Sequence, residues 1–190
     1  MGEYIKKSLC PIMLTYRCHF PIRTLPEIIK IMETKTAQII TPNELLNHWQ
    51  GHRALTRRVI ETFPEKEMFA FSIGGMRTFA QLCHELISIG APAMKAIVGR
   101  EDTPYAEPVG LDTKAAILEQ WDRDTQTIDR HFNQLGQDDF AETFNLFGQY
   151  NFTIIHNILY FIDNEIHHRG QGYVYLRAIG IEPPFFWDRP

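Results

Sequence analysis

The sequence predicts an all-α protein, an up-and-down bundle of four long helices. Three observations support this prediction: apolar residues recur at helical spacing over long stretches, start and stop signals bracket those stretches, and strand patterns are scarce. The chain has 190 residues, 44% of them hydrophobic and 22% charged, which is enough for one domain with a full core. Helices of this length joined by short or moderate loops pack antiparallel.

The first two helices are predicted from capping residues and apolar spacing. Thr41-Pro42-Asn43-Glu44 forms a capping box with proline at the first helical position, so a helix begins there and should end near Phe63. The second helix should cover about 77–98, and Pro92 inside it is expected to kink or split it. An apolar stripe at helical spacing runs along the second helix: Phe79, Leu82, Cys83, Leu86 and Ile89.

The other two helices follow a loop rich in glycine and proline. The third should begin at Asp112 or Thr113 and end near 135–136. The fourth should run from about Asn151 to Ile179, where Gly180 supplies a stop signal. One short segment, 69–73, alternates as a strand would.

The N-terminal residues 1–40 differ from the rest of the chain. They mix apolar and basic residues, contain three prolines and show no sustained period, so they are predicted to be a mostly irregular extension with a short helix over 25–32. Met32 could be the natural start, and the sequence does not decide whether 1–31 belong to the functional protein. The bundle domain is predicted to cover 41–190.

Composition excludes several classes of function. A net charge of −4 gives no basic surface for nucleic acid, and no apolar run approaches the roughly 18 residues needed to cross a membrane. The three cysteines, Cys10, Cys18 and Cys83, show no Cys-x-x-Cys spacing, which argues against a disulfide framework and suits a reducing compartment. We therefore expect a cytoplasmic protein.

The most informative segment is 164–171, Asn-Glu-Ile-His-His-Arg-Gly-Gln, inside the fourth helix. Helical geometry places His168 on one face with Asn164, four residues earlier, whereas His167 is rotated by about 100° and must point elsewhere. Polar groups of this kind are costly to bury without partners or a metal. Gly170 and Gly172 each cost about 1 kcal/mol relative to alanine in a helix, and we expect them to permit close approach of another helix.

Bundles build metal sites from inward-facing side chains on neighbouring helices. His168 and Asn164 are candidates on the fourth helix, and His84 is a candidate on the second. His48 and His52 lie one turn apart on the first helix. One of them could be an additional ligand, or the two could form a polar pair on the surface.

Two stretches of the sequence carry a resemblance to a known family. Residues 76–86, Met-Arg-Thr-Phe-Ala-Gln-Leu-Cys-His-Glu-Leu, and 165–171, with the string His-His-Arg-Gly-Gln, resemble the DinB/YfiT-like superfamily of metalloenzymes. The resemblance extends through 175–177 and 180–184 and broadly covers 41–187. It implies a four-helix bundle, often dimeric. In many members of the family three histidines hold a divalent metal: one from the second helix and a His-x-x-x-His pair from the last.

Carried onto this chain, the resemblance implies His84 and His168 as ligands, with Asn164 where the family has its remaining histidine. An asparagine is a poor replacement for imidazole on zinc or nickel. The site could therefore hold metal weakly, recruit His48 or His52, or have lost its metal. Zinc, nickel, iron and manganese all remain candidates.

Three further residues could act around the site, and the catalytic residues themselves are not identified. Glu165 and Gln171 could hydrogen-bond to the metal ligands, or they could be solvated surface residues. Arg169 could bind a carboxylate on a thiol cofactor, or it could pair with Glu165 one turn earlier.

The resemblance implies a metal-dependent enzyme that acts on a small molecule, either thiol S-transferase-like with a low-molecular-weight thiol or hydrolase-like. The alternative is a stress-associated, non-catalytic bundle of the same family that binds a ligand or partner without metal. In both cases we expect a homodimer and no nucleic-acid partner.

Overall fold

The computed structural model describes residues 39–101 and 103–189, so the predicted helix over 25–32, Cys10 and Cys18 lie outside the described residues. The predicted all-α, four-helix-bundle fold is confirmed, with a few small elements between the long helices. In chain order the elements are α1 (Pro42–Thr62), α2 (Glu65–Ala70), α3 (Phe79–Gly99), α4 (Lys114–Phe132), a 3-10 turn (Asp138–Ala141), β1 (Thr143–Leu146), β2 (Tyr150–Thr153) and α5 (Ile154–Ala178).

A threonine N-cap begins each of the four long helices. The Thr41 and Thr78 hydroxyls accept hydrogen bonds from backbone N–H groups three residues on, and both helices carry the full capping box. Thr113 and Thr153 cap α4 and α5 in the same way. Each cap satisfies a backbone donor that the first turn of a helix leaves free, which fixes where the helix starts.

Each long helix packs against two others, in the order α1, α4, α3 and α5 around the bundle. Consequently α1 and α3, which follow one another along the chain apart from the short α2, lie across the bundle from each other. Buried side chains fill the interior in two clusters, one around Trp49 and Phe161 and one around Phe79 and Trp121. In the described part of the chain, no helix has the length and hydropathy needed to cross a bilayer.

Two predictions about local structure were wrong. Residues 69–73 do not form a strand: helix α2 ends at Ala70, and Met68 is fully buried on its inner side. The strands lie instead at β1 and β2, an antiparallel hairpin in which Leu146 pairs with Tyr150, so α5 begins at Ile154 rather than near Asn151.

Pro92 does not split α3, which runs unbroken from Phe79 to Gly99. The two glycines of α5 differ in their surroundings. A Cβ at Gly172 would lie 2.9 Å from Cδ2 and 3.0 Å from Cζ of the buried Phe79 ring, whereas one at Gly170 would meet nothing within 4 Å. Only Gly172 therefore permits the close approach of another helix.

Candidate functional site

Helix α5 presents polar side chains to two neighbours at once. Asn164 and His168 contact Glu85 on α3, while Glu165 and Arg169 contact Thr56 on α1. This follows from helical geometry, since residues four apart share a face and adjacent residues differ by about 100°. As predicted, His168 enters the interior and is 4% exposed, whereas His167 is exposed.

Glu85 is the centre of the first group of polar residues. Its Oε1 lies 3.0 Å from His168 Nε2 and 3.3 Å from Asn164 Nδ2, and its Oε2 lies 2.5 Å from Arg77 Nη1. Partial burial raises the pKa of Glu85, but the hydrogen bonds from His168 and Arg77 outweigh it and leave the pKa below its usual value. Glu85 is therefore a carboxylate at neutral pH.

His168 has an oxygen acceptor at each ring nitrogen. Its Nδ1 lies 3.1 Å from Gln171 Oε1, and its Nε2 faces Glu85. The ring is thus held in a fixed orientation by one residue of its own helix and one residue of α3.

The structure does not bring His84 and His168 together. His84 Nε2 lies 3.0 Å from the backbone carbonyl oxygen of Leu111, in the segment before α4. Glu85, the next residue along α3, is rotated by about 100° and is the one that faces α5. The metal role predicted for His84 stays a prediction, but its contacts lie on a different side of α3 from those of Glu85.

The three-histidine ligand set that the resemblance implies does not fit these residues. Only His168 brings an imidazole to the group, beside one carboxylate from Glu85 and one amide from Asn164. Within residues 39–101 and 103–189, no three side chains of the His, Cys, Asp and Glu types come together in a way that could hold a metal ion.

A second polar group lies inside the bundle, around Glu165. The carboxylate is 2% exposed and accepts a hydrogen bond from Thr56 at 2.6 Å, with Arg169 at 3.7 Å and Arg53 at 3.9 Å. Burial raises the pKa of Glu165, an effect that the two arginines and Thr56 oppose. The Arg53 guanidinium also lies 3.8 Å from the centre of the Trp121 ring. Glu165 is therefore neither a surface residue nor a partner of His168.

His48 and His52 adjoin this second group rather than Glu85. Their rings are 4.6 Å apart, and His52 Nδ1 lies 2.8 Å from Arg169 Nη2 while its Nε2 lies 2.8 Å from Arg189 Nη1. Burial, together with the positive charges of Arg169 and Arg189, lowers the pKa of His52 to about 3. His52 is thus a neutral imidazole, which can accept a hydrogen bond from an arginine at one of its two ring nitrogens. The pairing of Arg169 with Glu165 agrees with the simpler of the two predictions for Arg169.

A pocket of about 240 Å³ adjoins Glu85, and four aromatic side chains line it together with Ile89 and Gln149. The aromatic rings form two pairs. Tyr150 stacks on Tyr160 with centroids 5.7 Å apart, and Tyr105 meets Phe147 edge to face at 5.8 Å. Glu85 thus connects the polar group on α5 with an aromatic cavity.

The turn of the hairpin forms part of this pocket. Phe147 and Gly148 have φ angles of +54° and +68°, and Gln149 N donates to Leu146 O at 3.0 Å. A bulky residue at positive φ is uncommon and strained by about 1–2 kcal/mol. Here the conformation places Phe147 against Tyr105, and such strain tends to occur at functional sites.

Sequence reasoning missed Glu85, Arg77 and the pocket aromatics. The sequence does contain one indication for Glu85. It lies one turn before Ile89, which belongs to the apolar stripe of α3, so Glu85 is at the edge of that stripe. Nothing local marked Tyr105 or Tyr160, because they come from separate parts of the chain.

Comparison with solved structures shows the same fold. The chain is similar to a DinB-like protein from Bacillus cereus ATCC 10987, with a TM-score of 0.62 at 15% identity, covering 76% of this chain and 97% of that one. It is also similar to a DinB-like protein from Bacillus subtilis, with a TM-score of 0.61 at 18% identity, covering 77% and 100%. No curated protein matches the sequence significantly. The model of the DinB family matches residues 32–188, and the chain therefore belongs to the DinB family.

Proposed function

We propose that this protein binds a small organic molecule in the pocket beside Glu85, with Glu85 as the residue that orients the ligand. The observation that carries the proposal is the lining of the pocket: four aromatic rings and one carboxylate around about 240 Å³. Small-molecule sites typically combine apolar, aromatic walls with a few fixed polar groups.

The contacts of Glu85 support this role. His168 and Asn164 hold one carboxylate oxygen and Arg77 holds the other, so the carboxylate is fixed in position before a ligand arrives. Such preorganisation lowers the entropic cost of binding. This proposal corresponds to the metal-free, ligand-binding alternative, and the cytoplasmic location and the homodimer stay predictions.

A fragment library with equal numbers of cationic, neutral and anionic members, observed by saturation-transfer NMR, tests the proposal. We expect fragments to bind the wild-type protein and to lose binding in the double variant Tyr105→Ala, Tyr160→Ala. Leu159→Ala is the matched control, because Leu159 precedes Tyr160 on α5, is 44% exposed and does not line the pocket. Absence of binding to the wild-type protein, or equal binding to the double variant, would overturn the proposal.

A second candidate is metal-assisted chemistry of the thiol-transfer or hydrolytic type, and one observation favours it. A histidine that binds metal commonly donates its other ring N–H to a nearby oxygen, and Gln171 Oε1 occupies that position beside His168 Nδ1. His168 and Glu85 would then hold the ion, with the Asn164 amide beside them. A bound divalent cation would supply a water or thiol of lowered pKa as the nucleophile.

Elemental analysis of protein purified without a metal-affinity tag tests this second candidate. The structure predicts that His168→Ala and Glu85→Gln remove bound metal while His84→Ala retains it, because His84 bonds to the Leu111 carbonyl. Loss of metal in His84→Ala would instead support the ligand set that the resemblance implies. Absence of metal after zinc, nickel, manganese and iron are added back would eliminate this candidate and leave the first.

A further inference from the structure

We propose that the ligand of the pocket is an organic ammonium cation, held by the carboxylate of Glu85 and by the faces of the surrounding aromatic rings. This inference rests on the proposed ligand-binding function of the same pocket and adds the chemical class of the ligand.

The charge of the residues that line the pocket indicates the sign of the charge on the ligand. Of the described residues that line the pocket, Glu85 is the only one with a formal charge, and no lysine, arginine or histidine is among them. The Glu85 charge also acts on a second residue of the lining, since it contributes, after burial and Tyr150, to raising the pKa of Tyr160. A cavity whose described lining has one carboxylate and no basic side chain favours positive ligands and disfavours anions.

The aromatic rings favour an organic cation over a metal ion or a bare ammonium ion. The face of an aromatic ring carries partial negative charge, and cages of several such rings recognise alkylated ammonium groups. Tyr105, Phe147, Tyr150 and Tyr160 line the cavity as two pairs, and the carbon atoms of these rings offer contact surface to the alkyl groups of such a ligand.

Arg77 modulates the site from outside the pocket. Its ion pair with Glu85 Oε2 is 2.5 Å long, but the Arg77 side chain is 49% exposed and water screens its charge. Arg77 therefore fixes the carboxylate and also reduces its attraction for a ligand cation. Replacing Arg77 with glutamine should consequently strengthen binding of a cation and leave binding of a neutral molecule unchanged.

Three probes of nearly equal shape measure the preference by isothermal titration calorimetry: choline, its uncharged isostere 3,3-dimethyl-1-butanol, and the anion 3,3-dimethylbutanoate. We expect choline to bind about tenfold more tightly than the alcohol, a ratio typical of a partly desolvated cation–π site, and the anion to bind most weakly. Equal or tighter binding of the alcohol or the anion would overturn the inference and leave the ligand-binding function standing. No binding by these probes, while fragments of the library bind in the pocket, would also overturn it; no binding by either set would overturn both.

Substitutions in the pocket then test which side chains cause the preference for the cation. Tyr160→Leu should weaken choline binding while Tyr160→Phe retains it, because phenylalanine keeps the ring face and leucine does not. Glu85→Gln should lower the affinity for choline but not for the alcohol, with circular dichroism confirming that the variant folds. Choline binding that is unchanged in Glu85→Gln and in Tyr160→Leu would place the cation elsewhere and refute the assignment.

Discussion

Gly170 and Gly172 lie two residues apart in α5, and alanine is expected to change the stability of the protein differently at the two positions. At Gly170 the new methyl group would meet nothing within 4 Å. At Gly172 it would meet Phe79, whose side chain is fully buried and stacked on Phe63 with ring centroids 4.2 Å apart, so the ring has little room to move.

The magnitudes follow from two competing effects. Alanine stabilises a helix interior by up to about 1 kcal/mol relative to glycine, and this gain applies equally at both sites. Overpacking a well-filled core costs about 1–3 kcal/mol, and this cost applies only at Gly172. The difference in unfolding free energy between the two variants therefore isolates the overpacking cost, about 1–3 kcal/mol in favour of Gly170→Ala.

Urea denaturation followed by circular dichroism measures both variants against the wild type, and thermal melts should differ by about 2–4 °C for each kcal/mol. The additional change Phe79→Leu should recover part of the loss in Gly172→Ala, because it removes the ring that the methyl group meets. Equal stability of Gly170→Ala and Gly172→Ala would refute the inferred close approach of α5 to Phe79.

Three further changes test the polar interior and the helix start. Lowering the pH from 6.5 towards 3 should destabilise the wild type, because His52 takes up a proton near its ordinary pKa of 6.5 in the unfolded chain but only at about pH 3 in the folded protein. Urea denaturation at several pH values should show that the unfolding free energy of His52→Gln depends less on pH than that of the wild type. Glu165→Ala should cost about 3–5 kcal/mol in chemical denaturation, because Arg53 and Arg169 would lose their buried counter-ion. Thr41→Ala should lower the unfolding free energy by about 1 kcal/mol through loss of the α1 cap.

For each of these three predictions, one result would contradict the physical explanation. An unchanged pH dependence in His52→Gln would show that other groups cause the acid sensitivity. A cost below about 1 kcal/mol for Glu165→Ala would mean that water reaches the two arginines. Thr41→Ser retains a hydroxyl acceptor and should be nearly neutral, so a loss as large as that of Thr41→Ala would rule out capping as the cause.

Local sequence signals predicted the parts of the fold that depend on local physics. The capping box at Thr41 depends on four consecutive residues, and the inward direction of His168 and outward direction of His167 follow from helical spacing alone. The confirmed bundle rests on the same periodicity. The hairpin was missed because its two four-residue strands show no clear alternation of buried and exposed residues and pack against α3 and α5.

The candidate site was harder to predict because its contacts join distant parts of the chain. His84 and Glu85 are neighbours in sequence, and only the placement of α3 against α5 decides which of them meets His168. Burial of Glu165 depends on Arg53, which lies more than a hundred residues earlier. The sequence around Glu165 therefore allowed a solvated surface residue as readily as a partner of the metal ligands, and the structure places it in neither position.

The walls of the pocket come from two kinds of structure, and this has a consequence for how the protein could diversify. Glu85, Ile89 and Tyr160 belong to bundle helices, whereas Phe147 and Gln149 belong to the hairpin turn and Tyr105 to a loop. Substitutions in the turn and loop alter the shape of the cavity without disturbing helix packing, since connecting segments tolerate change better than the elements they join. Selection could therefore exchange one ligand for another through a few surface residues while the helices retain both the charge and the fold.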